Sequence, residues 1–297
     1  MTLHEAIKSG PLLCDGGMGT QLVNRGLRSG DVPELWNVNH QDDIADVHRA
    51  YKDAGCNLIT TNSFGASSVA LARHGLESRM RELNLAAASA ARQVSEGSGF
   101  VLGDIGPSTQ MIEPYGDLAE QDAMTSFSQQ AEALLAGGVD GFVIETMGDP
   151  NEMQLAIRGV REVSGTHPVL ATYAFSRDKS GAFRTMMGTT VHDAAKAALE
   201  VGADVIGANC GTNLSLDDYA DLAREFVSAA GVTPVLIQPN AGSPKLLDGS
   251  YRYDAAPAAM AELASRMLAS GVRIIGGCCG TTPDHIRAMA TVLPRRG

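Results

Sequence analysis

Short, nearly continuous apolar runs alternate along the chain with longer segments in which apolar residues recur every three or four positions. The runs are "PLLCDGG", "NLITTNSFG", "FVLGDIGP", "GFVIETMG", "PVLATYAF", "DVIGANCG", "PVLIQPNAG" and "VRIIGGCCG". Continuous rather than alternating hydrophobicity predicts parallel strands covered on both faces. The segments between them predict amphipathic helices; in "DDIADVHRAYKDAG" the stripe is Ile44, Val47, Ala50 and Tyr51. Several open with Pro or Asp and most close on glycine, and the stretch after "TNSFG" is long enough for two helices. Thr2 and Glu5 form a capping-box pattern, which predicts a short helix ahead of the first strand. Eight strands, each followed by helical sequence, with no linker and no change of composition, predict an α/β fold: a single (β/α)8 barrel, one domain over residues 1–297. A doubly wound sheet fits less well, because no "GxGxxG" follows the first run.

Composition narrows the class. Thirty-three glycines with 5 % aromatics suit tight turns around an aliphatic core. A formal charge of −11 without any block of Lys or Arg argues against nucleic acid or an acidic membrane as partner. No segment approaches the roughly 20 apolar residues of a membrane span, and "MTLHEAIKSG" lacks the pattern of a signal peptide. The cytoplasm is therefore the expected compartment. Five cysteines in a reducing compartment point to thiols or a metal rather than to a disulfide framework.

In a (β/α)8 barrel the C-terminal ends of the strands carry the active site, and the unusual residues fall there. Asp15, Gly16 and Gly17 follow the first run, and Thr61, Asn62 and Ser63 the second. Glu145 and Thr146 close the fourth, Asn209 and Cys210 the sixth, Gln238 and Asn240 the seventh, Cys278 and Cys279 the eighth. Strands six and eight come close around a closed ring, so Cys210 can face the cysteine pair. Neighbouring residues on a strand point opposite ways, so Cys278 and Cys279 converge only where flanking Gly276, Gly277 and Gly280 let the chain leave strand geometry. Three thiolates form a zinc ligand set with one tetrahedral position open. Their charge brings such a site to about −1, unsuited to acidifying water but suited to a substrate thiol, whose pKa falls from about 8.5 while its sulfur stays electron-rich. The expected chemistry is alkyl transfer to sulfur.

"DGGMGTQL", "TNSFGA", "ETMGDPNE", "GANCGT", "QPNAGSP" and "GGCCGTTPDHI", in that order, resemble the homocysteine S-methyltransferases from about Pro11 to Val292. That group includes the betaine- and S-methylmethionine-dependent enzymes and the homocysteine domain of cobalamin-dependent methionine synthase. The resemblance implies a zinc-bearing barrel with Cys210, Cys278 and Cys279 as ligands and catalytic centre. It implies Asp15 and Glu145 on the ammonium of homocysteine, and backbone amides near Gly16 and in Thr61, Asn62 and Ser63 on its carboxylate. Asn209 would help to shape the pocket. Folate and cobalamin modules follow the barrel in corrinoid-dependent relatives; here the sequence stops with it, and "DVHRAY" lacks the glycine of a corrinoid-binding "DxHxxG". The donor is then expected to be a diffusible onium compound, of betaine, dimethylsulfonium or S-methylmethionine type, or a methylcorrinoid on a separate protein. Trp36 offers a cation–π face to a quaternary ammonium.

Plainer readings stand beside these. The vicinal cysteines can be inert or disulfide-bonded, Asp15 can cap a turn, and Asn62, Ser63, Gln238 and Asn240 can serve loop backbone. Cys14 and Cys56 read as core residues. His48 and His192 read as surface or helix-end residues, and His285 as pointing outward from the last helix. Met124, Met153, Met260 and Met267 read as core filler; Met147, Met186 and Met187 fall at the rim. Two rival functions remain: methyl transfer to another thiol, and a redox or zinc-sensing barrel without transferase activity.

Overall fold

The computed structural model describes residues 1–97, 99–247 and 250–294. Each apolar run contains a strand: β1 (Leu12–Leu13), β2 (Leu58–Thr60), β3 (Phe100–Ile105), β4 (Gly141–Met147), β5 (Val169–Tyr173), β6 (Val205–Asn209), β7 (Val235–Gln238) and β8 (Ile274–Ile275). Their order in one parallel sheet is β1-β8-β7-β6-β5-β4-β3-β2. A parallel bridge between Cys14 and Leu58 joins the two ends, with Asn57 N donating to Leu13 O at 2.7 Å and Asp15 N to Leu58 O at 3.0 Å. Helices surround this ring, so the fold is a (β/α)8 barrel. The long stretch after β2 does hold two helices, Ser68–Ala72 and Met80–Ser95.

The inside of the barrel is layered. Leu12, Leu58, Leu102, Val143, Leu170, Val205, Leu236 and Ile274, one from each strand, form a dry lower layer with Cys14. Leu3, Ala6 and Ile7 of the capped helix Leu3–Ser9 seal it from below. That seal is close: a Cβ on Gly141 would meet Leu3 Cδ2 at 2.8 Å. Two residues further along a strand, the same face turns polar: Thr60, Asp104, Glu145, Thr172 and Gln238. The polar mouth therefore sits directly on an apolar floor.

Below the barrel, two successive units repeat one clip. Asp140 Oδ2 accepts from Val101 N and Arg92 at 2.7 and 2.6 Å, and Asp204 Oδ2 from Val169 N and Arg161 at 2.8 and 2.6 Å. Each aspartate satisfies an amide at the start of the neighbouring strand, the second of β3 and the first of β5, which water would otherwise have to do.

The helices correct two histidines. Helix Gln41–Asp53 buries Ile44, Val47, His48 and Tyr51, so His48 takes the stripe position expected of Ala50. His48 is wholly buried with neither ring nitrogen bonded among the described residues, and burial pushes its pKa down to about 4. His285 also turns inward, between Thr282 and the Ala255 carbonyl, to which its Nε2 lies at 2.8 Å. Among the described residues no helix is long and apolar enough to cross a membrane.

Candidate active site

One side of the mouth carries sulfur. At Cys210, one residue beyond β6, the backbone enters the left-handed region with φ 46°. β8 stops at Ile275, so Cys278 and Cys279 both lie past the strand, free of its alternation. The loop after β7 fixes them: Cys278 N donates to Pro239 O at 2.8 Å, Cys279 N to Asn240 Oδ1 at 3.1 Å, and Ala241 N to Cys279 O at 2.9 Å. The three Sγ atoms lie within 4.8 Å of one another, Cys210 and Cys279 at 3.5 Å, and all are free thiols. Around a tetrahedral zinc with bonds of about 2.3 Å, sulfurs stand ~3.8 Å apart, so this trio fits such an ion with little movement.

The glycines divide the work. Gly276 and Gly277 keep ordinary backbone angles, and their value is space: a Cβ would meet Cys14 Cβ at 2.6 Å from the first and Thr281 Oγ1 at 2.5 Å from the second. Only Gly280 bends the chain through the left-handed region, with φ 80°. A Cβ there would strike Tyr253 Cγ at 2.2 Å. Tyr253, which the sequence reading missed, packs on Gly280, next to Cys279. Hydrogen bonds from Cys210 and Cys278 hold Cys279 far below the usual thiol range, whereas those contacts and burial push Cys278 up.

The opposite side carries acid. Asp15 is 2 % exposed; its carboxylate takes Thr60 N at 2.8 Å and Thr60 Oγ1 at 3.0 Å, yet burial outweighs these bonds and lifts its pKa to about 7. Glu145 keeps some solvent contact and rises to about 8, by burial first, then by the Cys279 and Asp15 charges. Asp104, on the strand between Thr60 and Glu145, is pushed well up by burial and by the charges of Glu145 and Asp15. Neither Thr60 nor Asp104 was singled out from sequence, although "GDIG" places an acid at the end of an apolar run.

Asn209 joins the two sides. Its Oδ1 accepts from Thr146 N at 2.8 Å and Thr172 Oγ1 at 2.9 Å; its Nδ2 donates to Thr146 Oγ1 at 2.7 Å and lies 3.8 Å from Cys278 Sγ. Thr146, next to Glu145, is thereby held at φ 61°. The expected carboxylate-binding loop is built differently in its side chains and its backbone. Thr61 Oγ1 accepts from Asp104 N, Ser63 Oγ donates to Asp104 O, and Asn62 Nδ2 reaches Pro33 O and Asn37. The backbone N–H groups of Asn62 and Gly16 have no protein acceptor among the described residues. Asn240 spans Gly211 O and Cys279 N, while Gln238 Oε1 is buried and has no partner among the described residues. Met147 belongs to the core, Met186 is an exposed cover over Gly148, and Trp36 stacks its ring on His40 at 4.2 Å, leaving little of it for a donor.

A family profile described as homocysteine S-methyltransferase matches residues 12–293, the whole barrel. The chain belongs to the homocysteine S-methyltransferase family. Methionine synthases of Mycobacterium leprae and Mycobacterium tuberculosis are each 30 % identical, over 99 % and 98 % of this chain. The chain spans only about a quarter of their length, 25 % in both cases. The homocysteine methyltransferase MmuM of Escherichia coli has the same fold: its metallated form superposes with a TM-score of 0.77 at 23 % identity, over 97 % of this chain and 98 % of that one. Its oxidized form gives 0.75 at 25 % identity, over 98 % of both chains.

Proposed function

We propose that this homocysteine S-methyltransferase barrel makes methionine from L-homocysteine with zinc held by Cys210, Cys278 and Cys279. The observation that carries the reading is the division of the mouth: three sulfurs beyond β6 and β8, and carboxyls from the β1, β3 and β4 side facing them. An amino-acid thiol has complementary ends, a sulfur for the first and an ammonium for the second. Zinc on three thiolates supplies a site where a substrate thiol is deprotonated at neutral pH while its sulfur stays nucleophilic.

The protein's own groups do the rest. Asp15 and Glu145 are costly to ionise when the pocket is empty, and an ammonium between them removes that cost. The free amides of Gly16 and Asn62 face the substrate carboxylate in this reading, and Asn209 keeps Glu145 and Cys210 in a set relation. The thiolate sulfur then displaces the donor: a carbon–sulfur bond forms, the methyl–donor bond breaks, and its electron pair stays with the donor. The donor is a diffusible onium compound of betaine, dimethylsulfonium or S-methylmethionine type, or a methylcorrinoid.

The test is to incubate zinc-loaded protein with homocysteine and supply betaine, a dimethylsulfonium compound, S-methylmethionine and methylcobalamin in turn. Methionine should form with one of them. Cys210→Ala should lose both bound zinc and turnover, whereas full activity in metal-free protein would refute the reading.

A further inference from the structure

We infer that Asp104 is a third substrate-positioning carboxyl, completing with Asp15 and Glu145 a three-acceptor cradle for the ammonium of the thiol substrate. The inference rests on the amino-acid-thiol reading above and adds a residue to it. Asp104 lies on β3, between β2, whose Thr60 holds Asp15, and β4, where its register partner Val143 stands two residues before Glu145. Leu102, two residues earlier, points into the barrel, so the pleat sends the Asp104 side chain into the mouth as well.

Its surroundings separate backbone from side chain. Thr61 Oγ1 accepts the Asp104 N–H at 2.9 Å, and Ser63 Oγ and Gln130 Nε2 donate to its carbonyl at 2.7 and 3.4 Å. Three side chains thus pin the main chain at this position. The carboxyl they aim inward is only 8 % exposed, and its Oδ1 has no partner among the described residues. A buried carboxyl without a donor destabilises the fold relative to an apolar group of similar size, so stability does not account for it. The charges that act on it, those of Glu145, Asp15 and Glu34, are all acidic and make an isolated carboxyl there worse. What the position lacks is a cation with several N–H donors. A primary ammonium has three, one for each of the three carboxyls.

The experiment is calorimetric titration of zinc-loaded protein with L-homocysteine and with 4-mercaptobutanoate, which has the same chain and thiol but no amino group. Wild type should bind homocysteine at least tenfold tighter. Asp104→Ala should weaken homocysteine by about 10-fold or more, the worth of one charge-assisted hydrogen bond, and leave 4-mercaptobutanoate within about twofold. Asp104→Asn, which keeps an acceptor oxygen, should fall between. Unchanged affinity for 4-mercaptobutanoate and unchanged zinc content show in the same samples that the variants are folded. Equal weakening of both thiols, or of neither, overturns the role of Asp104 alone. A wild-type protein that does not distinguish the two thiols overturns the amino-acid-thiol reading beneath it.

Discussion

Removing the Asn209 side chain tests whether the sulfur and acid halves of the mouth are mechanically one unit. Asn209→Ala deletes three hydrogen bonds of 2.7–2.9 Å, to Thr146 N, Thr146 Oγ1 and Thr172 Oγ1. At about 1 kcal/mol net each, this gives ~3 kcal/mol, and the half-buried Thr146 N–H left without an acceptor adds about 1 kcal/mol. Against that, Thr146 is a β-branched residue held at φ 61°, and its release returns about 1–2 kcal/mol. The expected loss is therefore about 2–3 kcal/mol, or roughly 3–5 °C in thermal midpoint for a chain of this size. Urea unfolding of metal-free protein measures it. Thr146→Gly should gain less stability in the same background than it does alone, because an unclamped Thr146 has already left positive φ and has no strain for glycine to relieve. Substrate binding should suffer beyond stability, since Thr146 follows Glu145 directly and the strand register shifts there. A loss below about 1 kcal/mol, or strictly additive effects of the two substitutions, would show that Asn209 does not hold the Thr146 turn.

Other consequences are open to measurement. Asp15 has a folded pKa of about 7 against an ordinary 3.8, so the folded state binds the extra proton. Its contribution is complete below pH ~4 and is lost as pH rises through 7, up to about 4 kcal/mol. Ligand-free protein should thus lose stability over that window, Asp15→Asn should flatten the slope, and a slope of opposite sign in wild type would contradict the assignment. Gly207→Ala should abolish the folded barrel, because its Cβ would lie 1.7 Å from Leu236 O across β6 and β7. Gly19→Ala, in helix Met18–Asn24 with open space around it, should instead stabilise by about 0.5–1 kcal/mol. Circular dichroism melts distinguish the two. Chelation of the metal should abolish methyl transfer while leaving the far-ultraviolet spectrum intact, since the core below the mouth is dry and complete without it; a spectrum that collapsed would make the cysteine site structural.

The sequence by itself determined the architecture, and the reason is periodicity. Eight buried runs separated by amphipathic segments admit few arrangements, and parallel strands with crossover helices close naturally into a ring. It also determined which chemistry was present, because cysteine pairs and acids at strand ends have few structural uses. What it did not contain was direction. "DDIADVHRAYKDAG" has two overlapping stripes, and only packing against neighbouring helices chose His48 over Ala50. "GGCCG" looks uniformly flexible, yet two of its glycines make room and Gly280 alone turns the chain. Asp104 looked like any acid near a turn until the pleat of β3, set by Leu102 in the floor, pointed it inward, where the charges of Glu145 and Asp15 act on it. Tyr253 and Cys279 are 26 residues apart, and no local pattern links them; closure of the ring brings them together. Local sequence carries propensity and residue type, whereas the facing of side chains from distant strands follows from barrel closure, a property of the whole chain.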